Sequence, residues 1–265
     1  MPKPTRRPAN SGTFYPTSAV ERRATVEVLL ASARPQPSVR PEAIIAPHSG
    51  YGFSGPVAAS AYAQVTPERG RVQRVVVVGP AHYVPLDGLA LPDVEAFETP
   101  LGDVLVDLDA VDDLLSLPYV SRSDVPHVQE HSIEVHLPFV QVALGDVRVV
   151  PILAGGARRD EVAAVLGRLW DGDETLVIVS SDLAREADYE GVRRRDEATR
   201  AAIEALDADA VAVDAARGWA SIAGLLAVTR DRGLGARALD LRSSGDTFGR
   251  RDKVVGYGAF AVTSR

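Results

Sequence analysis

Short runs rich in valine, isoleucine, leucine and alanine recur along the chain at residues 43–46, 75–78, 147–153, 176–179, 238–241 and 254–262. Their apolarity is close to continuous rather than alternating, which is what a strand covered on both faces requires. Between them lie segments with helical patterning at residues 18–33, 56–64, 160–169, 188–206 and 221–230. The first places Val20, Ala24, Val28 and Ala31 on one apolar face, and Ser18 followed by Glu21 reads as a capping box at its start. Ser54 precedes Gly55-Pro56, and proline suits a first helical turn, so the second helix is expected to begin there. Residues 101–106 form a hairpin or an edge strand. Strands alternating with helices predict an α/β fold, a three-layer α/β/α domain around a central mixed sheet.

Composition narrows the class. The chain has 265 residues, 46% hydrophobic and 25% charged, enough for a full-sized core and against wholesale disorder. We expect a single domain over residues 1–265. Two lobes meeting near residue 150 are the alternative, but no linker composition separates them, and the proline-rich stretch at residues 35–41 is a short connection. A formal net charge of −7 argues against bulk binding to nucleic acid or to an anionic membrane. Cysteine is absent, which removes disulfides, thiol nucleophiles and thiolate metal ligands together. No apolar run reaches the roughly 20 residues that span a bilayer, and residues 1–10 lack the apolar stretch of a signal peptide. The expected location is cytoplasmic. Lys3 and Lys253 are the only lysines, so Schiff-base chemistry has few candidates.

Candidate chemistry gathers at strand ends. His48 follows the run at 43–46, His82 follows the run at 75–78, and Asp182 follows the run at 176–179. Ligands of open α/β sheets bind outside the C-terminal ends of the strands, so these three side chains are expected to converge on one crevice, with His48 and His82 close together. The remaining histidines share one segment, His127, His131 and His136. If that segment is helical, His127, His131 and Glu134 share a face. His131 with Glu134 then offers a histidine–carboxylate pair for metal ligation or acid–base work, while His127 and His136 read as a solvated polar face. No GxGxxG, Walker A loop, HExxH or GxSxG elbow is present, so nucleotide cofactors and zincin or hydrolase chemistry have no sequence support.

The strings RRPANSGTFYP (6–16), APHSGYGFSGPVAASAY (46–62), VVVVGPAHY (75–83), EHSIEVHLPFVQ (130–141), VPILAG (150–155), VIVSSDL (177–183) and VVGYGAF (254–260), taken in order, resemble the Memo-like family, whose bacterial members are named AmmeMemoRadiSam system protein B. The resemblance implies a fold like that of the class III extradiol dioxygenases, which are non-heme iron enzymes. It also implies a cleft associated with metal, redox chemistry or phosphorylated peptides. His48 and His82 match the family's cleft histidines, and His131, Glu134 and Asp182 also match family positions. The sequence departs from the family at two places: Arg185 replaces a histidine three residues after the aspartate, and Arg217-Gly218 stands where a Cys-Gly pair is typical.

These features give two expectations. One is a binding protein on a retired non-heme metal enzyme scaffold, taking a small molecule, an anion or a phosphopeptide, with Arg185 and Arg217 as anion-binding residues. The alternative is a metal-dependent oxidoreductase, dioxygenase-like, acting on a small aromatic or carbonyl compound. His48 and His82 are then ligands, a carboxylate such as Asp182 or Glu134 completes the set, and His131, Glu134 and Asp182 are the catalytic candidates. Two imidazoles without a thiolate predict weak affinity for divalent iron, copper or zinc.

Overall fold

A computed structural model describes residues 4–34, 40–211, 216–249 and 251–265. In chain order the elements are β1 (Thr5–Arg6), α1 (Ala19–Ser32), β2 (Pro41–Ala46), α2 (Tyr51–Val65), β3 (Arg74–Pro80), β4 (Leu89–Leu91), β5 (Ala96–Thr99), β6 (Gly102–Leu105), α3 (Leu108–Leu114) and β7 (Val120–Arg122). There follow α4 (Leu137–Leu144), β8 (Arg148–Ala154), α5 (Arg159–Leu169), β9 (Thr175–Ser180), β10 (Arg185–Glu186), α6 (Tyr189–Glu204), α7 (Trp219–Asp231), β11 (Gly235–Ser243), α8 (Ser244–Thr247) and β12 (Val254–Thr263). Most of the predicted connection at residues 35–41 lies outside the described residues.

The main sheet has nine strands in the order β10-β12-β2-β9-β3-β8-β4-β7, with β11 also paired to β12. Its centre, β2-β9-β3-β8, is parallel. Its margins are antiparallel, β12 against β2 and β4 against β8. The sheet is therefore mixed, as the sequence predicts. Every residue of β9 is buried, as are all but the first of β3 and of β8, the physical counterpart of their unbroken apolarity. Helix α2 packs on β2, β11, β12 and α4, whereas α7 packs on β3, β9 and α5, so helices cover both faces of the sheet. A second sheet of three strands, β1-β5-β6, contains the hairpin expected near residues 101–106.

Two helices differ from expectation. Helix α1 is capped by Ser18, whose hydroxyl accepts from Glu21 N, which is the serine half of the predicted capping box. Its apolar face nevertheless points outward: Val20 and Val28 are 79% and 65% exposed, while Arg22 and Val26 are fully buried. Inside, Arg22 donates from Nε to the Pro16 carbonyl and from Nη2 to the Ser11 hydroxyl and stacks on the Tyr15 ring, while its Nη1 is buried without a hydrogen-bond partner. Helix α2 begins at Tyr51 rather than Pro56, which lies within it. Its first turn is fixed by Gly50 O, which accepts from Phe53 N and Ser54 N, and by Tyr51 N, which donates to Phe14 O. Among the described residues no helix is long and apolar enough to cross a membrane.

Candidate metal centre

Strands β2, β9 and β3 are adjacent and parallel, so their C-terminal ends share one edge. The chain leaves β2 through Pro47 to His48 and leaves β3 through Ala81 to His82. A third imidazole joins them from a loop. Residues 125–136 are not one helix but two 3-10 turns, Val125–His127 and Glu134–His136, with irregular chain between them that carries His131. This loop lies directly on the end of β3. A Cβ on Gly79 would lie 2.6 Å from Ser132 Oγ, so the approach depends on glycine there. Ser132 Oγ donates to Pro80 O, and Ser180 Oγ, at the end of β9, donates to Ser132 O.

The three rings form a compact cluster. His48 lies 5.1 Å from His82 and 5.5 Å from His131, both edge-on, and His82 stacks on His131 at 4.6 Å. One ligand nitrogen from each lies within 4.8 Å of the others. Phe14 packs on the His131 ring at 4.4 Å.

Partners on the Nδ1 nitrogens orient each ring. Nδ1 of His48 lies 2.8 Å from Ser180 Oγ. Because that hydroxyl spends its proton on Ser132 O, it can only accept from His48, which places the proton on Nδ1 and leaves Nε2 with its lone pair. Nδ1 of His82 lies 2.8 Å from Glu130 Oε1, with the same consequence. Nδ1 of His131 faces the Tyr83 hydroxyl at 3.2 Å and Glu130 Oε1 at 3.3 Å. Glu130 also accepts from the amides of His82, His131 and Ser132.

The electrostatics favour the neutral form of two of the imidazoles, His48 and His131, beside one fixed anion. Burial, reinforced by the neighbouring rings, holds His48 well below the ordinary histidine range, and burial lowers His131 as well. Burial opposes ionisation of Glu130, but the His82 hydrogen bond and charge and the amides of His82 and Ser132 override it and hold its pKa at about 2.

The other candidate residues take different places. Asp182 turns back on the loop after β2: its carboxylate accepts from His48 N at 2.9 Å, from Ser49 N at 3.3 Å and from Ser49 Oγ at 2.6 Å, and burial raises its pKa. Glu134 faces the N-terminal segment, where Arg6, Ala9 N, Asn10 and the Tyr15 hydroxyl all donate to it. Among the described residues the side chain that joins His48 and His82 in a group able to hold a metal ion is the His131 imidazole, and neither Asp182 nor Glu134 belongs to that group. His127 and His136 are buried rather than solvated, at 3% and 1% exposure. Nε2 of His127 pairs with Ala90 O and Nδ1 of His136 with the Tyr62 hydroxyl; burial holds their pKa values at about 4 and about 3. Arg185 and Arg217 are both exposed on the chain that follows and braces β9. Arg217 N donates to Asp182 O, and the Arg185 charge acts on Tyr257, whose hydroxyl also meets Ser49. Glu130, Tyr83 and Ser180 escape a reading of the sequence. The one local signal for Glu130 is its place immediately before His131.

Three imidazoles with their second nitrogens tied down suit a nitrogen-ligated divalent ion such as zinc, copper or iron. The absent thiolate is not needed by this set. Bound ion would supply Lewis acidity or, for iron or copper, redox chemistry.

Comparison with known proteins agrees with the resemblance in the sequence. Residues 6–261 match the family model described as Memo-like protein. A MEMO1 family protein of Aeropyrum pernix is 35% identical over 97% of this chain and 99% of its own, and one of Aquifex aeolicus is 30% identical over 95% and 97%. Protein MEMO1 of Danio rerio is 36% identical over 67% of this chain and 61% of its own. A solved structure described as uncharacterized protein JW3007 from Escherichia coli K12 superposes with a TM-score of 0.56 at 13% identity, covering 83% of this chain and 99% of that one, which shows a related fold. On sequence match over nearly its whole length, the chain belongs to the Memo-like family.

Proposed function

We propose that this Memo-like protein holds one divalent metal ion on His48, His82 and His131 and uses it on a small molecule, as a metal-assisted enzyme of the oxidoreductase class. The observation that carries the reading is the approach of one ring nitrogen from each of three histidines to within 4.8 Å, on rings whose Nδ1 atoms are engaged by neighbouring groups. Glu130 and Ser180 fix the tautomers that leave lone pairs facing inward. Tyr83, 51% exposed at the mouth, carries a hydroxyl proton beside His131 and is the group placed to exchange it with a bound molecule. Asp182 positions His48 through its backbone amide. The site belongs to one unit spanning residues 1–265, a reading supported by a sheet that draws β2 and β12 from opposite ends of the chain.

A second reading, binding of a phosphate or phosphorylated peptide on a scaffold without turnover, rests on Arg185 and Arg217. Neither forms an ion pair among the described residues, and both flank the loop of Asp182. Elemental analysis of protein purified without chelator, followed by zinc and iron(II) titration, separates the two. The metal reading expects near-stoichiometric uptake that is lost in His48→Ala. Uptake that is absent, together with phosphate binding abolished by Arg185→Ala, would establish the second reading instead.

A further inference from the structure

His48 and His82 lie two residues beyond the ends of β2 and β3, whereas His131 sits in a loop far along the chain from any strand, so something outside that loop has to hold it. We infer that Arg6 is the positioning residue for His131 and Glu130, resting on the reading that His131 is a metal ligand. The Arg6 guanidinium is buried and reaches four groups of the loop: Nε donates to His127 O at 2.8 Å, Nη2 to Glu130 O at 2.9 Å and to Val128 O at 3.5 Å, and Nη1 to Glu134 Oε2 at 2.7 Å. These carbonyls belong to a stretch with no helical or strand partners of its own, and buried carbonyls need donors. A planar fork with five N–H groups can meet them together; an ammonium cannot.

Glu130 is thereby held from both sides. Its carbonyl is gripped by Arg6, and its carboxylate grips His82 Nδ1 and the amides of His82, His131 and Ser132. A displaced guanidinium lets Glu130 move, and Glu130 orients two of the three ligands. Arg6 is itself fixed. Strand β1 pairs it with Phe97 of β5, and its guanidinium lies over the Phe97 ring at 5.1 Å. The two-residue strand β1 and the small sheet it joins thus brace the site from the far side of the loop.

The test compares wild type, Arg6→Lys and Tyr15→Phe, the last removing a donor to Glu134 that touches no carbonyl of the loop. Cobalt(II) titration reads affinity, and nitrogen-15 shifts of the histidine imidazoles in metal-free protein read tautomers without any ion. The expected result for Arg6→Lys is a cobalt affinity about 10–100-fold weaker, the size of other losses of outer-shell support, with His82 and His131 passing from single tautomers to averaged ones. Tyr15→Phe should stay within about twofold of wild type. If Arg6→Lys does not fold, Arg6→Met with Glu134→Gln, which removes both buried charges together, carries the same expectation. Unchanged tautomers and cobalt affinity in a folded Arg6 variant would overturn the inference, and so would a loss in Tyr15→Phe equal to that in Arg6→Lys. Wild type that takes up no cobalt while the tautomers still respond to Arg6→Lys would end the metal reading and leave the positioning role standing.

Discussion

Glu130 gathers more of the site's hydrogen bonds than any one histidine side chain. Its two oxygens receive one imidazole and three amides, and it stays ionised down to a pH of about 2. Glu130→Gln keeps the size of the side chain but turns one acceptor into a donor facing N–H groups. We expect metal affinity to fall roughly 10–100-fold in that variant, measured by competition with a chromophoric chelator. His131→Ala removes a ligand outright and should cost more than Glu130→Gln in the same assay. An equal or smaller loss would mean that His131 does not hold the ion.

At the scale of elements, α1 shows how a partner overrides periodicity. Val26 is fully buried and Val28 is 65% exposed, two positions apart on one helix. Val26→Ala should lower stability by about 1–3 kcal/mol, whereas Val28→Ala should stay within roughly 0.5 kcal/mol; urea denaturation of both variants decides it. In α6, Asp196 is buried against β12, where Gly256 leaves room that any side chain would fill. Its carboxylate accepts from Ala184 N, so it ties α6 to the chain between Asp182 and β10. Burial raises its pKa to about 7.

For the whole molecule, buried groups of opposite sign contribute to the response to pH. His127 and His136 are held below the ordinary value of 6.5, so their contribution is complete above 6.5 and is lost as pH falls through about 4 and about 3. Asp196 has the opposite sign: its folded pKa lies above the unfolded value, so its contribution is present below about 3.8 and is lost as pH rises through about 7. At pH 5 to 6, unfolding takes up two protons at these histidines and releases one at Asp196. Asp196→Asn removes the opposing proton. Stability of that variant should fall more steeply on acidification from pH 6 to 5 than that of wild type, by about 1.4 kcal/mol per pH unit, and should be higher at pH 8. Parallel pH profiles from urea denaturation would show that Asp196 is ionised in the folded protein.

The central strands, the cap at Ser18 and the places of His48 and His82 are legible in the sequence because each depends on a few neighbouring residues: unbroken apolarity, a hydroxyl before a helix, an imidazole just past a strand. The short strands β1, β4, β7 and β10 carry no such pattern, since two or three residues pair only because a neighbour offers an edge. The same holds for the rest of the site. A helical reading of residues 127–139 groups His131 with Glu134, but Arg6, Asn10 and Tyr15 draw Glu134 away, and the seat provided by Gly79 brings His131 to the strand ends. The sequence by itself determined the sheet and the strand-end places of His48 and His82. Tertiary structure brought His131 and Glu130 to them, because a side chain in irregular chain goes where distant donors hold its backbone.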